Sequence, residues 1–208
     1  MSLFITLEGP EGSGKTSQLP ALAEYLRDAG FEVIVTREPG GTALGDQIRD
    51  VLMNLENVEM TPRTEILLFL AARAQHVEGL IRPALNRGKI VLCDRFGDST
   101  LAYQGYGHCT DLATLRVLLD FATAGLTPDL TLLLDLPIRV GFGRKRENAE
   151  EWNRLDAYEE AFHERVRQGY LTLAEEEPER WVIIDATQEK EKVQKAMRAA
   201  IIDRLRRQ

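Results

Sequence analysis

The stretch GPEGSGKT, residues 9–16, stands directly after the apolar run LFITLE and directly before a segment that reads as helix. It satisfies G-x-x-x-x-G-K-[ST] at every required position. Glycines at this spacing let successive backbone N–H groups turn inward around phosphate oxygens, and the N-terminus of the following helix adds the positive end of its dipole. A chain carrying this loop between its first strand and first helix needs a sheet edge open to a phosphate. Gly9, Pro10, Glu11, Gly12, Ser13, Gly14, Lys15 and Thr16 are therefore expected to hold a nucleoside triphosphate. Lys15 would reach its outer phosphates, and the Thr16 hydroxyl would face Mg²⁺.

The rest of the chain repeats the strand-to-helix alternation. Five short apolar runs, FITLE (4–8), FEVIVT (31–36), KIVLCD (89–94), LTLLLD (130–135) and WVIID (181–185), are mostly continuous Val, Ile and Leu. That is the pattern of parallel strands buried on both faces. Helical periods lie between them. Tyr158, Phe162, Val166 and Tyr170 recur every four residues before Pro178, and Val193, Met197, Ala200, Ile201 and Leu205 form a second stripe from Lys190 onward. The prediction is a three-layer α/β fold. At 208 residues one domain is the expected organisation. Pro20, inside the first helix, predicts a local bend. The polar stretch GRKRENAEEWNRLD (143–156) lacks a clean period and reads as a mobile segment.

Charge and composition narrow the function classes. A net charge of −7 argues against broad capture of a nucleic-acid backbone, so any anion site has to be local. Cys93 and Cys109 lack CxxC spacing and a ligand cluster nearby, which predicts reduced thiols in a cytoplasmic setting. The N-terminus lacks a basic n-region, and no apolar run approaches the roughly 20 residues that span a bilayer. Neither a membrane nor a nucleic acid is an expected partner.

Three fates for the phosphate remain: a switch GTPase, an ATPase, or a kinase with a small acceptor. DRFG (94–97) meets the D-x-x-G of a GTPase switch, but no asparagine in the chain is followed by lysine, so the guanine-reading N-K-x-D is absent. A kinase needs a second site facing the first. TREPGGT (36–42) and DRF (94–96) follow the second and third strands, at the edge where α/β folds bind ligands. LLFLAARAQ (67–75) puts Phe69 and Arg73 four apart, on one helix face. Arginines for a phosphate and an aromatic plane for a base compose a nucleotide acceptor site.

GPEGSGKT, TREPGGT, LLFLAARAQ, CDRFGDSTLAYQG and IDATQ, in this order and spacing, resemble thymidylate kinases over nearly the whole chain. The resemblance implies a P-loop nucleoside monophosphate kinase fold with a five-stranded parallel sheet, a single domain over 1–208, and a lid at about 139–156. It implies transfer from ATP to dTMP with Mg²⁺, in a homodimer. It also implies roles. Phe69 would stack on thymine and Arg73 bond its edge, while Arg37 and Arg95 would hold the acceptor phosphate. Glu11 would take the 3′-hydroxyl, Tyr103 would crowd the 2′ position, and Ser99, Thr100 and Gln104 would line the base pocket. Asp94 would organise Mg²⁺ with Thr16, and Ala186 and Thr187 would edge the adenine. With Gly12 where some members carry an arginine, the lid arginines Arg144 and Arg146 are expected beside the transferring phosphoryl group, together with Lys15 and Arg95. NRLD (153–156) departs from the family pattern, with Arg154 as the basic residue retained.

Overall fold

The computed structural model describes residues 2–147 and 153–207. In chain order its elements begin with β1 (Leu3–Glu8), α1 (Lys15–Asp28), β2 (Val33–Arg37), α2 (Ala43–Met53) and α3 (Pro62–His76). A wide π-turn, Val77–Ile81, leads into α4 (Arg82–Asn86) and β3 (Ile90–Asp94). Then come α5 (Gly97–Thr100), a second π-helical stretch Leu101–Gly107, α6 (Leu112–Thr123), β4 (Leu130–Asp135) and α7 (Ile138–Glu147). A tight turn at Arg154–Ala157 precedes α8 (Glu160–Glu176), β5 (Trp181–Asp185) and α9 (Lys190–Arg206).

All five strands are parallel, in the order β2-β3-β1-β4-β5. The expected strands are present, with β2 beginning two residues later than its apolar run. β1, β3 and β4 occupy the middle, and their apolar side chains are buried on both faces. β2 and β5 are the edges and are only half covered, which leaves Val35 and Ile183 exposed. Equally apolar runs thus have unequal burial, because position in the sheet decides how many neighbours a strand has.

Alternation along β1 builds two layers. Leu3, Ile5 and Leu7 pack with Leu19, Leu22 and Leu26 of α1 and with Val193, Met197 and Ile201 of α9. Phe4 points the other way, into Phe96, Val77 and Ile81. Leu133 and Trp181 extend that second face beneath α6 and α8 through Leu119, Phe162, Val166 and Tyr170. Each such side chain, fully buried, contributes about 1.5–3 kcal/mol, enough to anchor β1 firmly under the loop it feeds. The period-two rule also sends Thr6 and Glu8 into the second layer, where both are fully buried.

Local signals mark the helix starts. Thr42 caps α2 by accepting from Gly45 N at 3.0 Å, and Asp111 caps α6 by accepting from Thr114 N at 2.8 Å, contacts worth about 1 kcal/mol each. α1 runs through Pro20 as one element. The stripe read from Tyr158 begins before its helix: Tyr158 follows the tight turn, and α8 starts at Glu160. Of the segment expected to be mobile, residues 143–147 complete α7 and 154–156 lie in the tight turn, while 148–152 fall outside the described residues. Among the described residues no helix is long and apolar enough to cross a membrane.

Candidate active site

Strand register brings the expected site residues to one edge. Leu7 of β1 pairs with Asp94 of β3, and Asp94 with Arg37 of β2, so Glu8, Asp94 and Arg37 end their strands side by side. β2 and β3 lie on one side of β1 and β4 and β5 on the other, and ligands of such sheets bind in the crevice at that switch point. A cleft of about 1530 Å³ opens there. Its wall includes Glu11, Gly12, Ser13, Gly14, Lys15 and Thr16 at one end and Arg37, Phe69, Arg73, Ser99, Thr100, Tyr103 and Gln104 at the other. Asp94, Arg95, Arg144, Ala186 and Thr187 also line it. Gly9 and Pro10 supply loop backbone behind this surface, and Arg146 is exposed and not among the lining residues.

The loop is held tightly. Lys15 is buried, and its Nζ donates to Gly9 O at 3.0 Å, Pro10 O at 2.8 Å and Ser13 Oγ at 3.0 Å. Burial and the nearby Arg95 charge lower its pKa to about 8, against the opposing pull of Glu11, Asp94 and Glu8. Gly12 has φ 69°, and a Cβ there would collide with the backbone of Gly141 in α7. A Cβ on Gly141 would in turn collide with the carbonyl oxygen of Glu11. The two glycines let the start of α7 rest directly on the phosphate loop. Thr16 Oγ1 donates to Asp94 Oδ2 at 2.6 Å, so a hydroxyl and a carboxylate oxygen converge below the loop. Oxygen donors of this kind, few in number, suit Mg²⁺, which keeps several waters and binds one or two carboxylates.

Arg95 is the hub between the two ends. Its backbone is left-handed at φ 67°, a conformation that costs a non-glycine residue roughly 1–2 kcal/mol. Its guanidinium meets Glu11 Oε1 at 2.5 Å, Gly9 O at 3.1 Å, Tyr103 Oη at 3.1 Å and Tyr170 Oη at 3.0 Å. Tyr103 Oη also donates to Glu11 Oε1 at 2.8 Å. Burial alone would raise the Glu11 carboxyl, but Arg95, Lys15 and the Tyr103 hydroxyl outweigh it and hold the pKa at about 2. Glu11 is therefore an ionised acceptor at neutral pH.

What holds Arg95 in place is a residue the sequence reading passed over. Glu8, fully buried, accepts from Phe96 N at 2.8 Å, Ser99 Oγ at 2.6 Å and Tyr170 Oη at 2.9 Å. Burial and the Asp98 charge push its pKa up to about 7. A carboxylate closing an otherwise apolar strand immediately before the loop was an available signal. The Phe69/Arg73 end of the cleft has a similar support. Arg73, 1% exposed, donates to Glu38 Oε2 at 2.7 Å, Thr100 Oγ1 at 2.9 Å and Phe96 O at 3.0 Å. His76 braces the other Glu38 oxygen at 3.0 Å and meets Thr36 Oγ1 at 2.7 Å. Phe69 packs on Leu52 and Leu155 and still borders the cleft, so it is a core residue with one face on the site.

The basic residues divide differently from the expectation. Arg37, more than half exposed, stands 3.5 Å from Asp46, and Arg49, passed over in the sequence, donates to Pro39 O beside it on the cleft wall. Arg144 donates to Ala186 O at 2.7 Å and Thr187 O at 3.3 Å, tying α7 to the loop after β5. Lys145 rather than Arg146 is the second α7 cation on the cleft wall, and its Nζ donates to Asp156 Oδ2 at 2.6 Å. Arg154 is buried against Glu65, Leu52 O and Tyr158 Oη, which keeps it away from the phosphate loop. Cys93 is buried, as expected of a small hydrophobe, with its thiol pKa raised well above the usual range by burial and by Glu38.

Comparison with known proteins agrees with this geometry. The family model described as thymidylate kinase matches residues 7–197. The chain is 51% identical to a thymidylate kinase of Geotalea uraniireducens, over 99% of both chains. It is 54% identical to that of Thermomicrobium roseum, over 100% of this chain and 98% of the relative, and 52% identical to that of Desulfovibrio desulfuricans, over 99% and 97%. A phosphate loop and an arginine-lined second pocket sharing one cleft, on a chain this similar to those proteins along its whole length, identify it as a member of the thymidylate kinase family.

Proposed function

We propose that the protein transfers the γ-phosphoryl group of ATP to dTMP, giving ADP and dTDP. The carrying observation is the continuous cleft in which Arg95 stands between the phosphate loop and the Phe69/Arg73 pocket. A phosphate oxygen of dTMP forms the new bond to the γ-phosphorus, and the bond from that phosphorus to the β-bridging oxygen breaks. The attacking oxygen is already ionised, so no general base is required, and catalysis reduces to alignment and stabilisation of charge.

In this reading residues 9–16 cradle the ATP phosphates, with Lys15 as their point charge and Ala186 and Thr187 beside the adenine. Arg95 and Arg37 hold the acceptor phosphate. Glu11 takes the 3′-hydroxyl, and Tyr103 fills the 2′ position, both held in place by their mutual bond and by Arg95. Phe69 stacks on the base, and Arg73, Ser99, Thr100 and Gln104 surround it. Thr16 and Asp94 would hold Mg²⁺, which would supply positive charge to offset that of the phosphates. Residues 139–156 act as a lid on the single domain. Arg144 and Arg146 are its candidate cations, Arg144 supported by its place on the cleft wall.

The setting is cytoplasmic, without nucleic-acid or membrane partners, and the working form is a homodimer. Leu67 of α3 and Val117 and Phe121 of α6 are exposed on two helices that pack against each other, and Phe121 is 88% exposed. Pairing two copies would remove this apolar surface from water. Phe121→Glu should shift the sedimentation coefficient from dimer to monomer; a variant that sediments unchanged argues against this face.

The test of the reaction is ADP formation with ATP and Mg²⁺ against dTMP, dUMP, UMP, dCMP, AMP, GMP and no acceptor. Turnover with dTMP should exceed that with the ribonucleotides and purines by at least about tenfold, a difference of about 1.4 kcal/mol in the barrier. Turnover indifferent to the acceptor would return the chain to an ATPase or a regulatory ATP-binding module.

A further inference from the structure

Glu65 lies on α3 one turn before Phe69 and two turns before Arg73, and it is fully buried. A carboxylate at this depth is costly unless its oxygens are paired. Here Oε1 accepts from Gln104 Nε2 at 2.7 Å and has His108 Nε2 at 3.3 Å, while Oε2 accepts from Arg154 Nη2 at 2.5 Å and from Tyr158 Oη at 3.2 Å. Burial would raise its pKa, but these partners outweigh burial and hold it at about 2. Near neutral pH Glu65 is ionised and can only accept.

That property decides how Gln104 faces. A glutamine amide can present either its NH₂ or its oxygen to a partner, and the network around it determines which. An acceptor-only partner takes the NH₂, so the oxygen is left for the other side. Gln104 borders the acceptor end of the cleft beside Phe69, Arg73 and Thr100, and among the described residues no protein group donates to its Oε1.

We propose that Glu65 is a specificity-determining positioning residue: by locking the Gln104 amide it presents a hydrogen-bond acceptor to the base and selects pyrimidines that carry an N3–H. Thymine and uracil carry that donor. Cytosine has a lone pair at N3, which would meet the lone pairs of Gln104 Oε1. An unrestrained glutamine would rotate and offer its NH₂ to cytosine instead. Here the same rotation would set the amide oxygen against the Glu65 carboxylate with no proton between them. Rejection by a locked group leaves buried polar atoms unpaired in the wrong complex, the strongest kind of discrimination available to a binding site.

The inference rests on the proposed reading of this end as a pyrimidine site, and the experiment separates the two. kcat/KM is measured for dTMP, dUMP and dCMP in the wild type, Glu65→Gln and Glu65→Asp, with a thermal melt of each. A wild type that does not favour dTMP and dUMP over dCMP refutes the pyrimidine-site reading itself. Glu65→Gln is isosteric and can donate as well as accept, so it should narrow the dTMP:dCMP gap at least about tenfold, the equivalent of one hydrogen bond's worth of discrimination. The dTMP:dUMP ratio and the KM for ATP should stay as in the wild type. Glu65→Asp remains acceptor-only and should keep the gap, even where it lowers kcat/KM for all three. A folded Glu65→Gln with the wild-type gap overturns the proposal. So does a Glu65→Asp that loses the gap, and this second arm decides the matter if the glutamine variant does not fold.

Discussion

Replacing Arg95 by alanine is expected to lower kcat by about three orders of magnitude or more while the protein still folds. The magnitude follows from the role proposed for the guanidinium. Stabilising donors aimed at a transferring phosphoryl group are worth roughly 10²–10⁵ in rate. Arg95 is in contact with Glu11, Gly9, Tyr103 and Tyr170 at once, so its loss also releases the groups it orders. The fold should survive, because Arg95 and Glu11 are both partly accessible, 15% and 21% by side chain, and the stranded carboxylate can draw on water. The left-handed backbone persists through Phe96 N, which Glu8 holds independently of the arginine side chain. Steady-state kinetics together with a thermal melt check this. Near-native turnover in the alanine variant would remove Arg95 from the mechanism.

The second large effect is expected at a residue that has no side chain. Gly141→Ala should lower kcat by about 10²-fold, although alanine is the better helix former by roughly 1 kcal/mol. Gly141 lies within α7, so its backbone tolerates a side chain; the carbonyl of Glu11 directly above it does not. To admit the methyl group α7 has to move off the loop, and it carries Arg144 and Lys145 with it. A misplacement near 1 Å in a positioning element costs about 10²-fold in rate. Stability unchanged or improved, with kcat reduced, would separate this from ordinary destabilisation. A variant with both parameters at wild-type values would mean that α7 does not need its contact with the loop.

Much of the site was legible because its parts are local. The phosphate loop, the arginine after the third strand and the Phe69/Arg73 pair each follow from spacing within one element and from the rule that strand ends share an edge. The residues passed over act across elements. Glu8 holds Phe96, Ser99 and Tyr170, the last 162 positions away. Glu65 gathers Gln104, His108, Arg154 and Tyr158, the last 93 positions away. A lone glutamate in an amphipathic pattern reads as solvated, and its burial becomes visible only when its partners arrive. The helical spacing of Glu65, Phe69 and Arg73 was nonetheless a usable clue, since residues four apart share a face.

The region from α7 to the turn at Arg154–Ala157 shows the same division. GRKR (143–146) announced a cluster of cations, but three successive residues on a helix point about 100° apart. Only the fold could say that 144 and 145 face the cleft while 146 does not. Arg154, the basic residue retained in NRLD, is a buried brace, because the turn at Arg154–Ala157 aims it at α3.

By itself the sequence determined the parallel α/β architecture, the phosphate loop and many of the residues that line the cleft, since hydrophobic periodicity and motif spacing are properties of neighbouring residues. Tertiary structure alone decided which strands are edges, which cations face the cleft and how buried carboxylates hold the arginines and the Gln104 amide. Those outcomes depend on distances between residues far apart in the chain, and such distances exist only once the layers have packed.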